Sequence, residues 1–306
     1  MSNPIELSTS TVAVSGAGGL VGFALCEQLR ARGARVLSIT RSTPSSPDEV
    51  QWDATHGVLE PAKLEGVTDV VHLAGESIAD GRWTDAKKRR IRDSRVIGTR
   101  VLAQSLASLG SRPRTLVCAS AIGFYGDRGD ELLTERSPVG HGFLPEVCAS
   151  WEAACEPASD VGIRVVNTRI GVILSRDGGA LAKMLFPFKM GVGGKIGSGT
   201  QYMSWVSLDD VVGAILTGLT NTDLQGPVNA VSPNPVTNLE FTKVLGSVLH
   251  RPTILPMPAF AARLALGQMA DDLLLASTRV LPERLQQAEY QFKFADLRAC
   301  LQHELT

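Results

Sequence analysis

The sequence predicts an α/β chain built on a doubly wound, mainly parallel sheet, with a smaller helix-rich C-terminal lobe. Three observations predict it. An apolar run at residues 12–15 passes through a glycine-rich turn into an amphipathic helix at 20–32. Short apolar runs at 35–39, 69–73, 115–119 and 162–168 then alternate with stretches of helical spacing, the rhythm of parallel strands joined by crossover helices. With 306 residues the chain is long enough to bury a full core.

The first strand and its turn read VAVSGAGGLVG. Glycines 16, 19 and 22 are spaced G-x-x-G-x-x-G, because position 21 is valine, so the commoner G-x-G-x-x-G is not matched. Glycine at these points lets the backbone turn tightly, approach a pyrophosphate and pack helix on strand. The expected contact set is Gly16, Gly18, Gly19, Leu20, Val21 and Gly22, with the free N–H groups of the helix start facing phosphate. A purely structural turn is the alternative.

The second strand, 35–39, should end where a ribose 2′-hydroxyl would meet an acidic residue. It ends instead at Arg41 and Ser42. A carboxylate repels a 2′-phosphate, whereas a guanidinium grips it in a charge-assisted fork. One such bond is worth about 1.5–3 kcal/mol. The expected cofactor is therefore NADP(H) rather than NAD(H), unless Arg41 is only a solvated surface charge.

A Ser/Pro-rich loop at 42–48 leads to a short strand at 50–52. Asp53 after it would accept from an adenine amine or cap a turn. The run 70–75, VVHLAG, places Leu73, Ala74 and Gly75 where small groups let ribose and nicotinamide lie against the backbone, with His72 as a packed core residue. A long helix at 84–109 carries the core stripe Ile91, Gly98, Leu102 and Leu106. Its basic run at 87–90, offset by Asp85 and Asp93, reads as a solvated face.

After the strand at 115–119 come a helix at 143–158 and a strand at 162–168. Residues 178–202 break the rhythm with a helix at 181–190 and a glycine loop at 191–199. They read as an excursion over the carboxyl ends of the strands, where a substrate would sit, or the loop is a simple hairpin. A helix at 208–219, capped near Asp209, precedes a helix-rich tail from Thr237. The expected division is a nucleotide-binding domain at 1–177 with a return segment near 203–231, and a smaller lobe from 178–202 and 232–306.

Thirty basic against 31 acidic residues leave a net charge of −1, which gives no electrostatic case for nucleic acid or an anionic membrane. No run approaches the length of a membrane span, and the N-terminus carries no basic region followed by an apolar core. The five cysteines are scattered, without a CxxC or zinc spacing, so no metal is expected and a reduced, cytoplasmic chain is.

The glycine turn, the strand at 70–75, ASAIGFYG at 119–126 and WVSLDDV at 205–211 together resemble the extended short-chain dehydrogenase/reductases, the group of nucleotide-sugar epimerases and dehydratases. LAGESI at 73–78, GRWT at 81–84, SRVIGTR at 94–100, FYGDRGDE at 124–131 and the tail from Arg251 resemble its atypical "epimerase family protein" branch, some members of which are labelled cell-division inhibitors. The resemblance implies a Rossmann-type fold and a nicotinamide cofactor.

In the catalytic members of that group a Tyr-x-x-x-Lys pair moves the proton, the lysine lowering the tyrosine pKa. This chain has no such pair: residues 129, 206 and 294, four beyond its three tyrosines, are Gly, Val and Phe. The two family positions fall on Val147 and Trp151, and the asparagine before the V-x-G-T run becomes Arg95. Ionising an unassisted tyrosine at pH 7 costs roughly 4 kcal/mol. The remaining catalytic candidates are Ser120, Tyr125 and Glu76, the last with a pKa raised by an apolar pocket. Arg95 and Lys195 are candidates for an anionic substrate group.

Two functions follow. One is an NADP-dependent epimerase or oxidoreductase with rearranged acid–base groups, acting on an unidentified small molecule. The other is a catalytically silent NADP-holding protein that docks a partner, with a link to cell division. A homodimer through the helices at 84–109 and 143–158 is a further expectation of the resemblance.

Overall fold

The structure, a computed structural model, describes residues 5–53, 58–59 and 61–305. Strand β1 (Thr11–Ser15) enters helix α1 (Leu20–Ala31), followed by β2 (Arg35–Thr40), β3 (Glu49–Asp53), β4 (Val58–Leu59) and β5 (Asp69–His72). Helix α2 (Asp85–Ala107) leads to β6 (Thr115–Ala121), β7 (Leu132–Leu133), α3 (Phe143–Ala153), α4 (Glu156–Ser159) and β8 (Arg164–Ile170). Then come β9 (Val172–Ser175), α5 (Gly179–Lys189), β10 (Tyr202–Met203), β11 (Trp205–Ser207), α6 (Leu208–Thr220) and β12 (Gly226–Ala230). The tail holds β13 (Val236–Thr237), α7 (Asn238–Leu249), α8 (Ala259–Leu266), α9 (Gln268–Ala270), β14 (Arg279–Val280), α10 (Glu283–Gln287) and α11 (Leu297–Leu305).

One sheet organises the chain in the order β12-β8-β6-β5-β1-β2-β3-β4. Its first seven strands run parallel, and only β4 pairs antiparallel. The strands read as continuous apolar runs because both faces are covered. On one face Leu25, Cys26 and Leu29 of α1 pack with Val211, Ile215 and Leu219 of α6. On the other, Leu102 and Leu106 of α2 pack with Trp151 of α3. A separate core joins α5, α7 and α11 through Leu181, Phe241 and Leu301.

Local chemistry sets the element boundaries. The predicted helix 143–158 is two helices, because Pro157 stands in the first turn of α4 and cannot continue the preceding ladder. The α6 cap is Ser207, whose Oγ accepts from the Asp210 N–H, rather than Asp209. In α2 the predicted stripe Ile91, Gly98, Leu102 and Leu106 is buried, and Thr84 caps the helix by accepting from the Lys87 N–H. The basic run beside it is not wholly a solvated face: Lys87 is buried, its ammonium 2.7 Å from Glu76 Oε1.

The chain leaves β1 for β2 and β3 on one side and returns to β5 on the other, so the direction of winding reverses between β1 and β5. A crevice at that switch point, outside the carboxyl ends of the strands, is where open α/β sheets bind ligands.

Candidate functional site

The glycine turn sits at this switch point. Gly16 adopts φ +71°, a left-handed conformation that glycine takes without strain. A Cβ on Gly16 would stand 3.0 Å from the Ala74 nitrogen, so the turn lies directly on the end of β5. A Cβ on Gly22 would collide with the Gly16 carbonyl oxygen, which makes the helix-to-turn contact a glycine contact. Gly18 is exposed with open space around it, and no side chain caps α1 at Gly19. Such a helix start offers its first-turn N–H groups to an anion. Leu20 supports the turn against Gly178 and Gly179 of the excursion.

Ser15 fixes the end of β5. Its Oγ accepts from the Leu73 and Ala74 N–H groups at 3.2 and 3.3 Å and lies 2.6 Å from His72 Nδ1. With two amides already donating to it, the hydroxyl proton points to Nδ1, which makes the imidazole an acceptor there. His72 is fully buried against Trp52, and burial followed by the Arg95 charge pulls its pKa down to about 4. It is a core residue of the site's floor.

At the end of β2, Arg41 and Ser42 are exposed, and Arg41 meets no carboxylate among the described residues. The Asp53 side chain lies outside the described part of the structure.

Glu76, just beyond Gly75, departs from the expectation of a raised pKa. Lys87 Nζ donates to its Oε1 at 2.7 Å, and Arg90 Nε lies 3.5 Å away. The Lys87 hydrogen bond leads the causes that hold its carboxyl below the usual range, against a smaller opposing effect of burial. A carboxylate fastened to two cations is a poor proton donor, and the apolar pocket that would have raised it is absent from its surroundings.

Arg95 is half-buried, with Nη1 donating to the carbonyls of Glu76 and Ile91 and its guanidinium 5.0 Å over the Trp151 ring. A Cβ on Gly75 would stand 3.4 Å from Arg95 Cζ, so this cation borders the same crevice. Trp151 is buried, its indole N–H donating to Thr99 Oγ1, and it fills the space between α2 and α3. Lys195 does not join this cluster: its ammonium donates to the Ser198 carbonyl within the glycine loop. That loop is not a simple hairpin, because Ile196 bridges Met257 of the tail in parallel.

Ser120 and Tyr125 enter a buried polar chain that the sequence reading missed. Ser120 Oγ donates to Glu152 Oε1 at 2.7 Å. Glu152 is clamped by Arg169 through Nε and Nη2, both at 2.8 Å. Arg169 Nη1 donates to the Tyr125 hydroxyl, which donates to Asn229 Oδ1 at 2.7 Å. Tyr125 is fully buried, and burial, only partly countered by Arg169, pushes its pKa up to about 12. Its hydroxyl faces the core rather than the crevice. The signal that could have found this chain is the polar run Asn167, Thr168 and Arg169 inside a central strand, where a buried arginine requires an acidic partner.

A cavity of about 550 Å³ lined by Thr11, Arg35 and Glu49 opens at the amino ends of β1 and β2. It lies at the wrong end of the strands for dinucleotide binding, so the geometry of the glycine turn is the better guide.

Fold and turn together define an α/β protein of the dinucleotide-binding type. The chain belongs to the NAD dependent epimerase/dehydratase family, whose model matches residues 12–231, while residues 257–304 match a domain of unknown function. An epimerase family protein of Mycobacterium tuberculosis is 43% identical over 286 residues, covering 94% of each chain. The crystal structure of human epimerase family protein SDR39U1 (isoform 2) with NADPH aligns with a TM-score of 0.88 at 31% identity, over 96% of this chain and 98% of that one. A nucleoside-diphosphate sugar epimerase from Corynebacterium glutamicum aligns with a TM-score of 0.82 at 39% identity; the match covers 97% of this chain and 59% of that longer one.

Proposed function

We propose that this chain binds NADP(H) in the crevice between β1 and β5 and acts as an NADP-dependent oxidoreductase or epimerase on a small molecule. The observation that carries the reading is the glycine turn pressed onto the end of β5, with Gly18 open to solvent above it. The NADPH in the human relative supports the same cofactor here. Gly16, Gly18, Gly19, Leu20, Val21 and Gly22 cradle the pyrophosphate, and Leu73, Ala74 and Gly75 underlie the nicotinamide half. Arg41 and Ser42 hold the 2′-phosphate, and Asp53 the adenine.

Bound dinucleotide supplies or takes up a hydride. The protein's own part is orientation and proton handling. Ser120, at the end of β6, is oriented by its hydrogen bond to Glu152 and is the hydroxyl that meets a substrate carbonyl or hydroxyl. Tyr125 serves that chain from behind and does not touch substrate. Arg95, which donates to the Glu76 and Ile91 carbonyls and meets no carboxylate among the described residues, orients an anionic group beside Gly75. Glu76 positions the β5–α2 loop through Lys87 rather than moving a proton.

A second reading, a silent NADP-holding protein that docks a partner, is favoured by the complete burial of Tyr125 and by the bulk of Trp151. A dimer paired through α2 and α3 belongs to either reading; exposed Ile97 on α2 supports it, while buried Trp151 does not contribute. The five buried free thiols support a reducing, cytoplasmic setting.

Mass spectrometry of the small molecules released on denaturing purified protein tests the proposal. NADP(H) with a second metabolite supports the enzyme; NADP(H) alone, with no hydride exchange toward carbonyl substrates, supports the silent binder.

A further inference from the structure

The balanced total charge hides a segregation. Residues 178–208 contain three lysines and no carboxylate, and residues 241–270 contain Lys243, Arg251 and Arg263 and again none. The two segments fold onto each other: the Met257 N–H donates to the Lys195 carbonyl, the Gly197 N–H donates to the Met257 carbonyl, and Arg251 Nε donates to the Lys189 carbonyl.

The same two segments carry the apolar surface. Eight of the twelve exposed large hydrophobic residues among the described ones lie between Phe186 and Leu264. Phe186 and Met190 share one outer face of α5, and Phe260 and Leu264 one outer face of α8, each pair being one turn apart. Ile254 and Leu255 lie on the strap between them. Phe186, Ile254, Phe260 and Leu264 are each 74, 79, 71 and 76% exposed. Single exposed apolar residues are ordinary, but a concentration of this kind marks an interaction surface.

We propose that this face docks on the surface of an anionic phospholipid bilayer, with the aromatic and aliphatic side chains in the headgroup–acyl boundary and the cations among the headgroups. Lys189, Lys195 and Arg251 meet no carboxylate among the described residues; Lys195 and Arg251 bond only to backbone carbonyls. Their charge is therefore free to meet lipid phosphate. A second copy fits poorly, because a two-fold contact would set these three cations against themselves, while Asp80 and Asp271 beside them are already paired with Lys183 and Arg263. The strap also contains Pro256 and Pro258, which have no N–H to offer a protein partner, whereas lipid tails require none. No helix among the described residues is long and apolar enough to cross a membrane, so the contact is peripheral.

Flotation of the full chain with vesicles tests this. The expected result is recovery with phosphatidylcholine vesicles containing phosphatidylglycerol, and little recovery with phosphatidylcholine alone or in high salt. Phe260→Ser with Leu264→Ser should weaken the partition at least about tenfold. Lys189→Gln and Arg251→Gln should each weaken it roughly fivefold. All four sites are exposed, and circular dichroism and NADPH affinity report whether the fold is kept. Failure to float with anionic vesicles would overturn the proposal. So would equal binding to neutral vesicles, or light scattering that shows a dimer dissolved by the Phe260/Leu264 substitutions, which would assign the face to a second copy.

Discussion

Arg169 faces Glu152 through two parallel hydrogen bonds of 2.8 Å, joining β8 to α3 where the chain has almost no contact with water. Both charges are neutralised by each other and the remaining donors are used by Tyr125, so the pair is satisfied only while intact. Removing one partner of a buried pair costs about 3–5 kcal/mol, while replacing both by apolar groups is often neutral. Arg169→Met should therefore destabilise strongly in urea unfolding, and adding Glu152→Met should restore most of the loss.

Tyr125→Phe removes a hydroxyl that accepts from Arg169 and donates to Asn229. Leaving two buried polar groups unmade costs about 1–3 kcal/mol. The variant should unfold at lower denaturant yet bind NADPH as the parent does, because the hydroxyl faces the core. A tenfold loss of NADPH affinity with unchanged stability would place that hydroxyl in the crevice instead.

His72 makes stability pH-dependent. Its folded pKa of about 4 lies below the 6.5 of an exposed imidazole. Above pH 6.5 neither state takes up a proton and the histidine is neutral in the balance. Between 6.5 and 4 only the unfolded chain binds the proton, so folded-state stability falls with falling pH, by about 3 kcal/mol in all. Urea midpoints at pH 7.5 and pH 5 should show the loss, and His72→Gln should flatten that part of the profile.

Gly22→Ala should damage the turn, since its Cβ has no space beside the Gly16 carbonyl. Gly18→Ala, with open space around it, should leave stability within about 0.5 kcal/mol of the parent while weakening NADPH binding. Thermal unfolding with and without NADPH separates the two effects.

The glycine turn, the strand–helix rhythm and the core stripe of α2 were legible in the sequence because each is a local pattern. The excursion at 178–202 was legible only as a break in rhythm; its bridge to Met257 joins residues far apart in the chain. The errors at the site share one cause. Glu76 looked free because its partner Lys87 sits in a basic run that resembles a solvated face. Glu152 and Arg169 escaped notice because strand and helix must fold together before their charges meet. Likewise the net charge of −1 conceals two segments with no carboxylate at all.

In the proposed function the crevice beside the glycine turn holds NADP(H) and Arg41 selects it. Calorimetric titration of cofactor-stripped protein with NADPH and NADH, alongside Arg41→Ala, tests it most directly. NADPH should bind at least about tenfold tighter than NADH, with the difference lost in Arg41→Ala. Equal affinities in the parent protein, or a preference that survives the substitution, would contradict it.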